Sequence, residues 1–430
     1  LSRNMLRNFA WKYPGNDESL PRSLDYVSDE IENKFRFERL VNLGDYRVRF
    51  GAGAEYARYL NDTFRQFFFM GDVRTLEYDS SIDLFKGSVF GQVTRSLMDQ
   101  RLSLSLGLRM DASTYSSDMI NPLEQFSPRF SASYRLYENF FINFNTGRYF
   151  QLPPYTTMGF RNADNVLINK QNGLRYISVN QLVGGFEWLP ARNAKLSLEG
   201  FYKAYDRYPF SLTDSVSIGS RPADFGVFGD EEVSSIGQGR AYGAELLYRE
   251  QRLSGFNFIL SYTFVRSEFK DFQGDYIPAA WDNRHIVILT ALRRLPRNWD
   301  VGLKWRFSGG APFTPFDLEL SSIRQAWDVQ NRAFLDYSRF NTERLKPFHN
   351  LDLRVDKQIY KSRFSLMMYL DIQNVYAFRA DQPANYVRET DASGNPIIFT
   401  GEDGIERYKL KRLENRIGNI LPSVGIIVEF

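Results

Sequence analysis

The sequence alternates between apolar and polar residues over unusually long stretches. In residues 101–112, four leucines and a methionine share one face of an extended chain, and serine, glycine, arginine and aspartate share the other. Residues 46–56 and 350–356 show the same period of two. This period predicts β-strands with one apolar and one polar side. Strands of soluble proteins usually have about five or six residues, whereas runs of about ten suit a strand that crosses a bilayer at a tilt.

Composition excludes several other classes of protein. The 430 residues contain no cysteine, which excludes a disulfide scaffold and a cysteine-based metal site. A formal net charge of +3 gives no indication of a nucleic-acid partner. The longest apolar runs, such as residues 286–292, are far shorter than the ~20 residues of a membrane helix. The mean hydropathy of -0.40 is compatible with a transmembrane barrel, because every second residue of such a barrel faces a polar lumen.

Short and long connections alternate between the predicted strands. Tight turns are predicted near residues 44–45, 98–100, 138–139, 190–194, 253–255, 296–298 and 360–362. Long loops are predicted over residues 60–81, 116–126, 154–176, 211–238, 272–283, 313–345 and 379–415. Tight turns at one rim and long loops at the other are typical of outer-membrane barrels, in which the turns are periplasmic and the loops extracellular.

The prediction is therefore an all-β fold, an antiparallel transmembrane β-barrel with about fifteen strands in this chain. Residues 33–430 form the barrel region, and residues 1–32 form an extracellular loop or an N-terminal extension. Alternatively, RNFAWKY at residues 7–13 is a further strand, which makes about sixteen. Bacterial single-chain barrels normally have an even number of strands, so both alternatives stay open.

Four stretches resemble the barrel of TonB-dependent outer-membrane receptors, particularly those of the Bacteroidetes type. The stretches are residues 276–317, with WDNRH and SGGAPFTP; residues 347–357 with 368–378, ending in QNVYAF; residues 239–248, GRAYGAELLY; and the terminal pattern Ser423, Gly425, Val428 and Phe430. The terminal pattern resembles the signal that the outer-membrane insertion machinery reads. In that interpretation Val424, Ile426, Val428 and Phe430 face lipid.

The resemblance implies a location in the outer membrane of a Gram-negative bacterium and the import of a scarce solute, such as a metal chelate, glycan or peptide. It implies a plug domain inside a barrel of about 22 strands, and a TonB complex that pulls on the plug. No plug is recognisable here, so we expect this chain to be the C-terminal part of such a barrel. A missing segment or another chain would then close it. Lipid, lipopolysaccharide and a surface lipoprotein are the other expected partners.

Two alternatives come from different functional classes. A passive porin of about sixteen strands would have a wet lumen, and a barrel scaffold or adhesin would serve a surface complex. The charges predicted to face the lumen would bond the plug in a receptor and would set ion selectivity in a porin. They include Arg47, Arg49, Arg109, Asp111, Glu199, Lys203, Asp352, Arg354 and Asp356. No nucleophile motif is visible, so an enzyme is not expected.

Candidate contacts with a solute lie at the predicted extracellular mouth. They are Arg148, Tyr149, Tyr155, Asp282, Arg284 and His285. The alternative for the last three is a structural role, in which hydrogen bonds fix a loop to the rim. The aromatic residues of the loop at 150–160 either pack against other loops or line the mouth.

A few residues are candidates for metal binding. His285 and His349 are the only histidines, and packing at the rim is the alternative to a metal role for both. Asp391, Glu402 and Asp403 flank a predicted turn at residues 392–396 and could hold Ca²⁺ in an extracellular loop. No resident cofactor is otherwise expected.

Overall fold

The computed structural model describes residues 1–222, 230–253 and 255–430. The strands are β1 (Ser2–Lys12), β2 (Leu24–Leu43), β3 (Tyr46–Phe69), β4 (Asp72–Leu97), β5 (Leu102–Ser113), β6 (Ser127–Tyr137), β7 (Phe140–Gln151), β8 (Ile177–Ala191), β9 (Ala194–Ser211), β10 (Val233–Leu253), β11 (Phe256–Lys270), β12 (Tyr276–Pro278), β13 (Arg284–Leu295), β14 (Trp299–Ser308), β15 (Pro312–Phe313), β16 (Phe316–Asp317), β17 (Phe334–Leu335), β18 (Glu343–Arg344), β19 (Phe348–Tyr360), β20 (Ser365–Gln373), β21 (Ala380–Arg388), β22 (Ile398–Thr400), β23 (Glu406–Tyr408), β24 (Leu410–Ile417) and β25 (Leu421–Glu429).

The helices are short and lie between strands. They are α1 (Ser117–Ile120), α2 (Tyr155–Met158), α3 (Ile168–Gln171), α4 (Leu318–Ser322) and α5 (Arg324–Gln330), with 3₁₀ turns at Pro14–Asn16, Pro122–Gln125, Ile218–Ser220 and Tyr337–Arg339. Every helix in the described parts of the chain is too short or too polar to span a bilayer.

One antiparallel sheet contains seventeen strands among the described residues, of which β12 has three residues and pairs only with β11. Each long strand pairs with the next along the chain, from β1 through β11, then β13, β14, β19, β20 and β25. This order confirms the predicted all-β, antiparallel fold. In the described residues, β1 pairs only with β2 and β25 only with β20.

The two faces of the sheet differ as the alternation predicts. Phe35, Phe37 and Phe85 are exposed on the outer face of β2 and β4, where they suit contact with lipid. Glu32 lies opposite Ala57, and Ala57 lies opposite Leu84. Residues directly opposite in a ladder share a face, so these three side chains lie together on the inner face.

Two predicted boundaries at the start of the chain differ from the structure. Residues 2–12 and 24–32, expected to lie in a loop or N-terminal extension, belong to β1 and β2. The alternative prediction of a further strand at residues 7–13 therefore agrees with most of β1, although β1 starts earlier, at Ser2. The alternation in β1 is hard to recognise because Arg3 and Arg7 interrupt the apolar positions of Met5 and Phe9.

The predicted long loop at residues 60–81 is wrong. β3 and β4 continue through it as a hairpin whose turn is Met70 and Gly71. The inner face of this extension, with Tyr59 and Tyr78, is buried, because loops from elsewhere in the chain pack on it. Of the other predicted connections, those at 211–238 and 253–255 include residues 223–229 and 254, which lie outside the described residues.

The SGGAP stretch brings two loop backbones together at the end of β14. The N–H of Gly309 donates to the carbonyl of His285 at 2.7 Å, and the N–H of Leu345 donates to the carbonyl of Ala311 at 3.0 Å. A Cβ added to Gly310 would lie 1.6 Å from the carbonyl oxygen of Leu345. Gly310 therefore permits a close approach that any larger residue would prevent.

We predict that Gly310→Ala destabilises the fold by about 1–3 kcal/mol, since the added methyl group has no space. Gly91→Ala is the matched control, because no atom lies within 4 Å of its added Cβ. The measurement is the temperature at which the folded band of an unheated electrophoresis sample converts to the unfolded band. Equal conversion temperatures for the two variants would contradict the prediction.

Candidate functional site

A cavity of about 590 Å³ lies between the inner face of β2–β5 and the chain that follows β7. Its wall carries acidic and basic side chains of adjacent strands, and its other side is formed by residues 150–155 and Tyr176. Arg36 and Arg109 lie over the ring of Phe90, with guanidinium carbons 4.8 and 6.0 Å from its centre. The cavity is therefore polar on the barrel wall and partly aromatic.

Four wall charges and one loop hydroxyl form a compact cluster beside this cavity. Lys34 lies 2.6 Å and Lys86 3.4 Å from carboxylate oxygens of Glu32. Lys86 also forms an ion pair with Glu55, and Lys34 lies 3.9 Å from the same oxygen of Glu55. The two lysines thus neutralise the two glutamates, which leaves no net charge on the cluster to attract a charged solute.

Tyr155, one of the predicted mouth residues, joins this cluster from the loop. Its hydroxyl accepts a hydrogen bond from Lys86 at 2.7 Å and donates one to Glu32 at 2.7 Å. Burial, followed by the hydrogen bond to Glu32, raises the pKa of Tyr155. The hydroxyl therefore remains protonated at neutral pH and can keep donating to the carboxylate.

Arg148 and Tyr149 do not line the cavity. The guanidinium of Arg148 lies 5.0 Å from the ring of Phe150, and Arg129 lies 4.4 Å from the ring of Tyr149. Both predicted contacts are thus engaged in packing within β6 and β7. Their role in binding a solute stays a prediction.

Asp282 is fully buried at the rim, with 0% of its side chain exposed. Its carboxylate accepts hydrogen bonds from Arg266 at 3.0 Å, from the backbone N–H of Ser267 at 2.9 Å and from Arg344. These donors come from β11 and from the long loop before β19. The carboxylate therefore ties a loop to the rim and leaves no surface for a solute.

Arg284 and His285, which follow Asp282 in the sequence, have different partners. Arg284 has a φ of 64° and lies 3.9 Å from the carboxylate of Asp282. His285 turns to its strand neighbours, with Nδ1 3.0 Å from the hydroxyl of Tyr262 and its ring 5.4 Å from that of Phe264. All three residues thus have partners within the protein, as expected if their role is to fix a loop to the rim.

Most of the candidate metal residues are engaged by protein groups, whereas Glu402 is exposed. His349 has Nδ1 2.8 Å from the hydroxyl of Tyr376. The carboxylate of Asp391 accepts backbone N–H groups of its own turn, and Asp403 pairs with Arg407 at 2.8 Å. Across the described ranges, no three histidine, aspartate or glutamate side chains have a metal-binding arrangement.

The predicted insertion signal lies in β25. Ser423, Gly425 and Val428 are opposite Asp371, Tyr369 and Leu366 of β20. Gly425 leaves room for the ring of Tyr369, which would lie 2.4 Å from an added Cβ. Phe430 follows the strand and is fully exposed. Recognition of this segment by an insertion machinery stays a prediction.

Nothing in the sequence distinguishes Glu32, Glu55 and Lys86 from other polar strand residues. They occupy ordinary polar positions of alternating strands. Glu55 and Lys86 meet because the register of β3 and β4 places them opposite each other. Tyr155 reaches them only because its loop folds inward. A register prediction for β3 and β4 could have found the ion pair but not the tyrosine.

We predict that Asp282→Asn destabilises the rim by about 2–3 kcal/mol, because two arginines lose a buried carboxylate partner. Asp275→Asn is the control, since Asp275 is exposed in the same loop. Thermal unfolding measures the effect, and proteolysis of the loop before β19 should become faster in Asp282→Asn alone. An unchanged melting temperature would contradict this structural role.

Comparison with known proteins relates this architecture to one family. The family described as TonB-dependent receptor-like β-barrel matches residues 2–375. No curated protein matches the sequence.

Solved structures share the fold at low sequence identity. The ferric-catecholate import receptor Fiu from K12 E. coli is 12% identical, with a TM-score of 0.56, covering 98% of this chain and 60% of that one. The siderophore receptor PiuA from Acinetobacter baumannii is 12% identical, with a TM-score of 0.58, covering 99% of this chain and 61% of that one. The copper transporter OprC is 14% identical, with a TM-score of 0.60, covering 88% and 57%. This chain thus spans about three fifths of the length of these structures. It belongs to the TonB-dependent receptor-like β-barrel family, whose members are outer-membrane transporters of Gram-negative bacteria and not enzymes.

Proposed function

We propose that this chain forms the C-terminal wall and extracellular loops of a TonB-dependent importer of the Bacteroidetes type. The solute would be scarce outside the cell, such as a metal chelate, a glycan or a peptide. A plug domain and further strands, from the same protein or another chain, would complete the barrel. The TonB complex would then supply energy through the plug.

The inner wall carries the observation that best supports a filled lumen. Glu199 of β9 and Glu245 of β10 lie directly opposite each other, and both are exposed. Neither side chain has a hydrogen bond or ion pair within the described part of the chain. Like charges directly opposite in a ladder destabilise it. A positively charged group from a domain inside the lumen would relieve this repulsion.

Other charges on the inner wall show the same lack of partners. Arg47 on β3 and Lys304 on β14 are exposed, and the described residues offer neither a hydrogen bond nor an ion pair to them. By contrast, charges in the outer half of the wall, such as Lys86 and Glu55, are paired. Unpaired charges of both signs fit a protein partner, because a protein surface can present both counter-charges.

The additional partners follow from the same proposal. The exposed apolar outer face would contact lipid and lipopolysaccharide, and the long extracellular loops would be available to a surface lipoprotein. The names of the structural neighbours include iron, siderophore and copper transport. At 12–14% identity they support the fold of this chain and do not select its solute.

We predict that uptake by the complete protein depends on the proton-motive force and on TonB. The gene would be deleted in its own bacterium, and growth compared on limiting iron chelates, copper, glycans and peptides. A nutrient whose use is lost and then restored by complementation identifies the solute. Its uptake should stop when a protonophore is added or when TonB is absent.

Two results would contradict this proposal. Uptake that continues without TonB and without a proton gradient would favour the passive porin. Normal growth on every nutrient, together with loss of a surface complex, would favour a scaffold or adhesin.

A further inference from the structure

Three extracellular connections fold back and cover the inner face of the sheet. A buried apolar cluster joins inner-face residues of β3 and β4 to residues that follow β5, β7 and β9. Ala57 of β3 and Leu84 of β4 are 0% and 2% exposed. Met119 and Met158, both 0% exposed, cover them from the connections. The outer half of this sector of the lumen is therefore filled by the chain itself.

Asn169 joins two of these connections. Its side-chain amide donates to the carbonyl of Thr157 at 2.8 Å and to that of Glu231 at 2.9 Å. Its side-chain oxygen accepts the N–H of Val233 at 2.8 Å, and the residue is 0% exposed. Since a buried amide with all these bonds is costly to separate from its partners, residues 152–176 and 231–233 form one body, here called the cap.

The lower edge of the cap meets the charged cluster on the wall. The Tyr155 hydroxyl in α2 forms hydrogen bonds with both Glu32 and Lys86 of the wall. Below this contact lies the cavity of about 590 Å³, whose wall includes Ser88. Tyr155 of the cap thus lines the same cavity as Ser88 of the wall.

We propose that the cap is a size-selecting constriction built from this chain's own loops. It excludes large solutes from the cavity beneath residues 152–155 and admits small ones. Asn169 holds the cap together, and Tyr155 fastens its lower edge to the wall. This inference concerns access alone, and it stands or falls independently of energised import.

Single cysteines can test access directly, because the chain contains no cysteine. Ser88→Cys places a thiol in the cavity wall, and Ser393→Cys places one in an exposed turn of the last extracellular loop. Intact cells produce the full protein, in which any cysteine outside this chain is replaced by serine. They are treated with a small maleimide or with a maleimide that carries a long polyethylene glycol chain. The small reagent should label both proteins, and the large one only the Ser393→Cys protein.

The cap is then weakened in the Ser88→Cys background. Asn169→Ala should speed labelling by the large reagent by about tenfold, because opening of the cap no longer breaks the buried hydrogen bonds. Tyr155→Phe should speed the same labelling by a smaller factor. Gln171→Ala, which changes an exposed amide next to Asn169 in α3, is the matched control and should have no effect. Electrophoresis of unheated samples confirms that each variant retains a folded barrel.

Three outcomes would overturn the proposal. The large reagent could label the Ser88→Cys protein as fast as the small one while the cap is intact. Asn169→Ala and Tyr155→Phe could both leave labelling by the large reagent unchanged in folded protein. Finally, neither reagent could reach the Ser88→Cys thiol in any background, which would show that something other than the cap controls access.

Discussion

The pairing of backbone N–H and C=O groups is the constraint on which this structure depends. In the hydrocarbon of a bilayer, an unpaired backbone group costs several kcal/mol, so a strand must have a partner on each side. From β2 to β20, every long strand has two partners in an unbroken antiparallel order. In the described residues β1 and β25 have one partner each. The proposed additional strands would satisfy these two edges.

The two faces of this sheet have different environments, and the inner face itself has two. Near the outside, loops bury the inner face of β3 and β4, and the charges at the margin of that region are paired. Elsewhere the inner face carries exposed charges such as Glu199 and Glu245, which oppose each other without a counter-charge among the described residues. In the first region, the apolar residues are covered and the charges are paired by residues of this chain. The second has the properties of a surface that receives another domain.

Sequence periodicity predicted most of the sheet because a strand's faces depend on a local period of two. It failed at β1, where arginines interrupt the apolar positions. It also failed at the extension of β3 and β4, whose two faces do not differ in polarity as the faces of a lipid-contacting strand do. Asp282 was singled out by sequence, but its burial depends on Arg344, which is 62 residues away. The cap and the core beneath it could not be predicted, since Met119, Met158 and Leu174 become a core only when separate loops meet.

The most direct test of the central claim is an experimental structure of the complete protein in a lipid nanodisc. The proposed receptor predicts that further strands pair with β1 and β25, and that a domain in the lumen places a lysine or arginine beside Glu199 and Glu245. A barrel in which β1 pairs directly with β25 around a water-filled lumen, with both glutamates free, would contradict it.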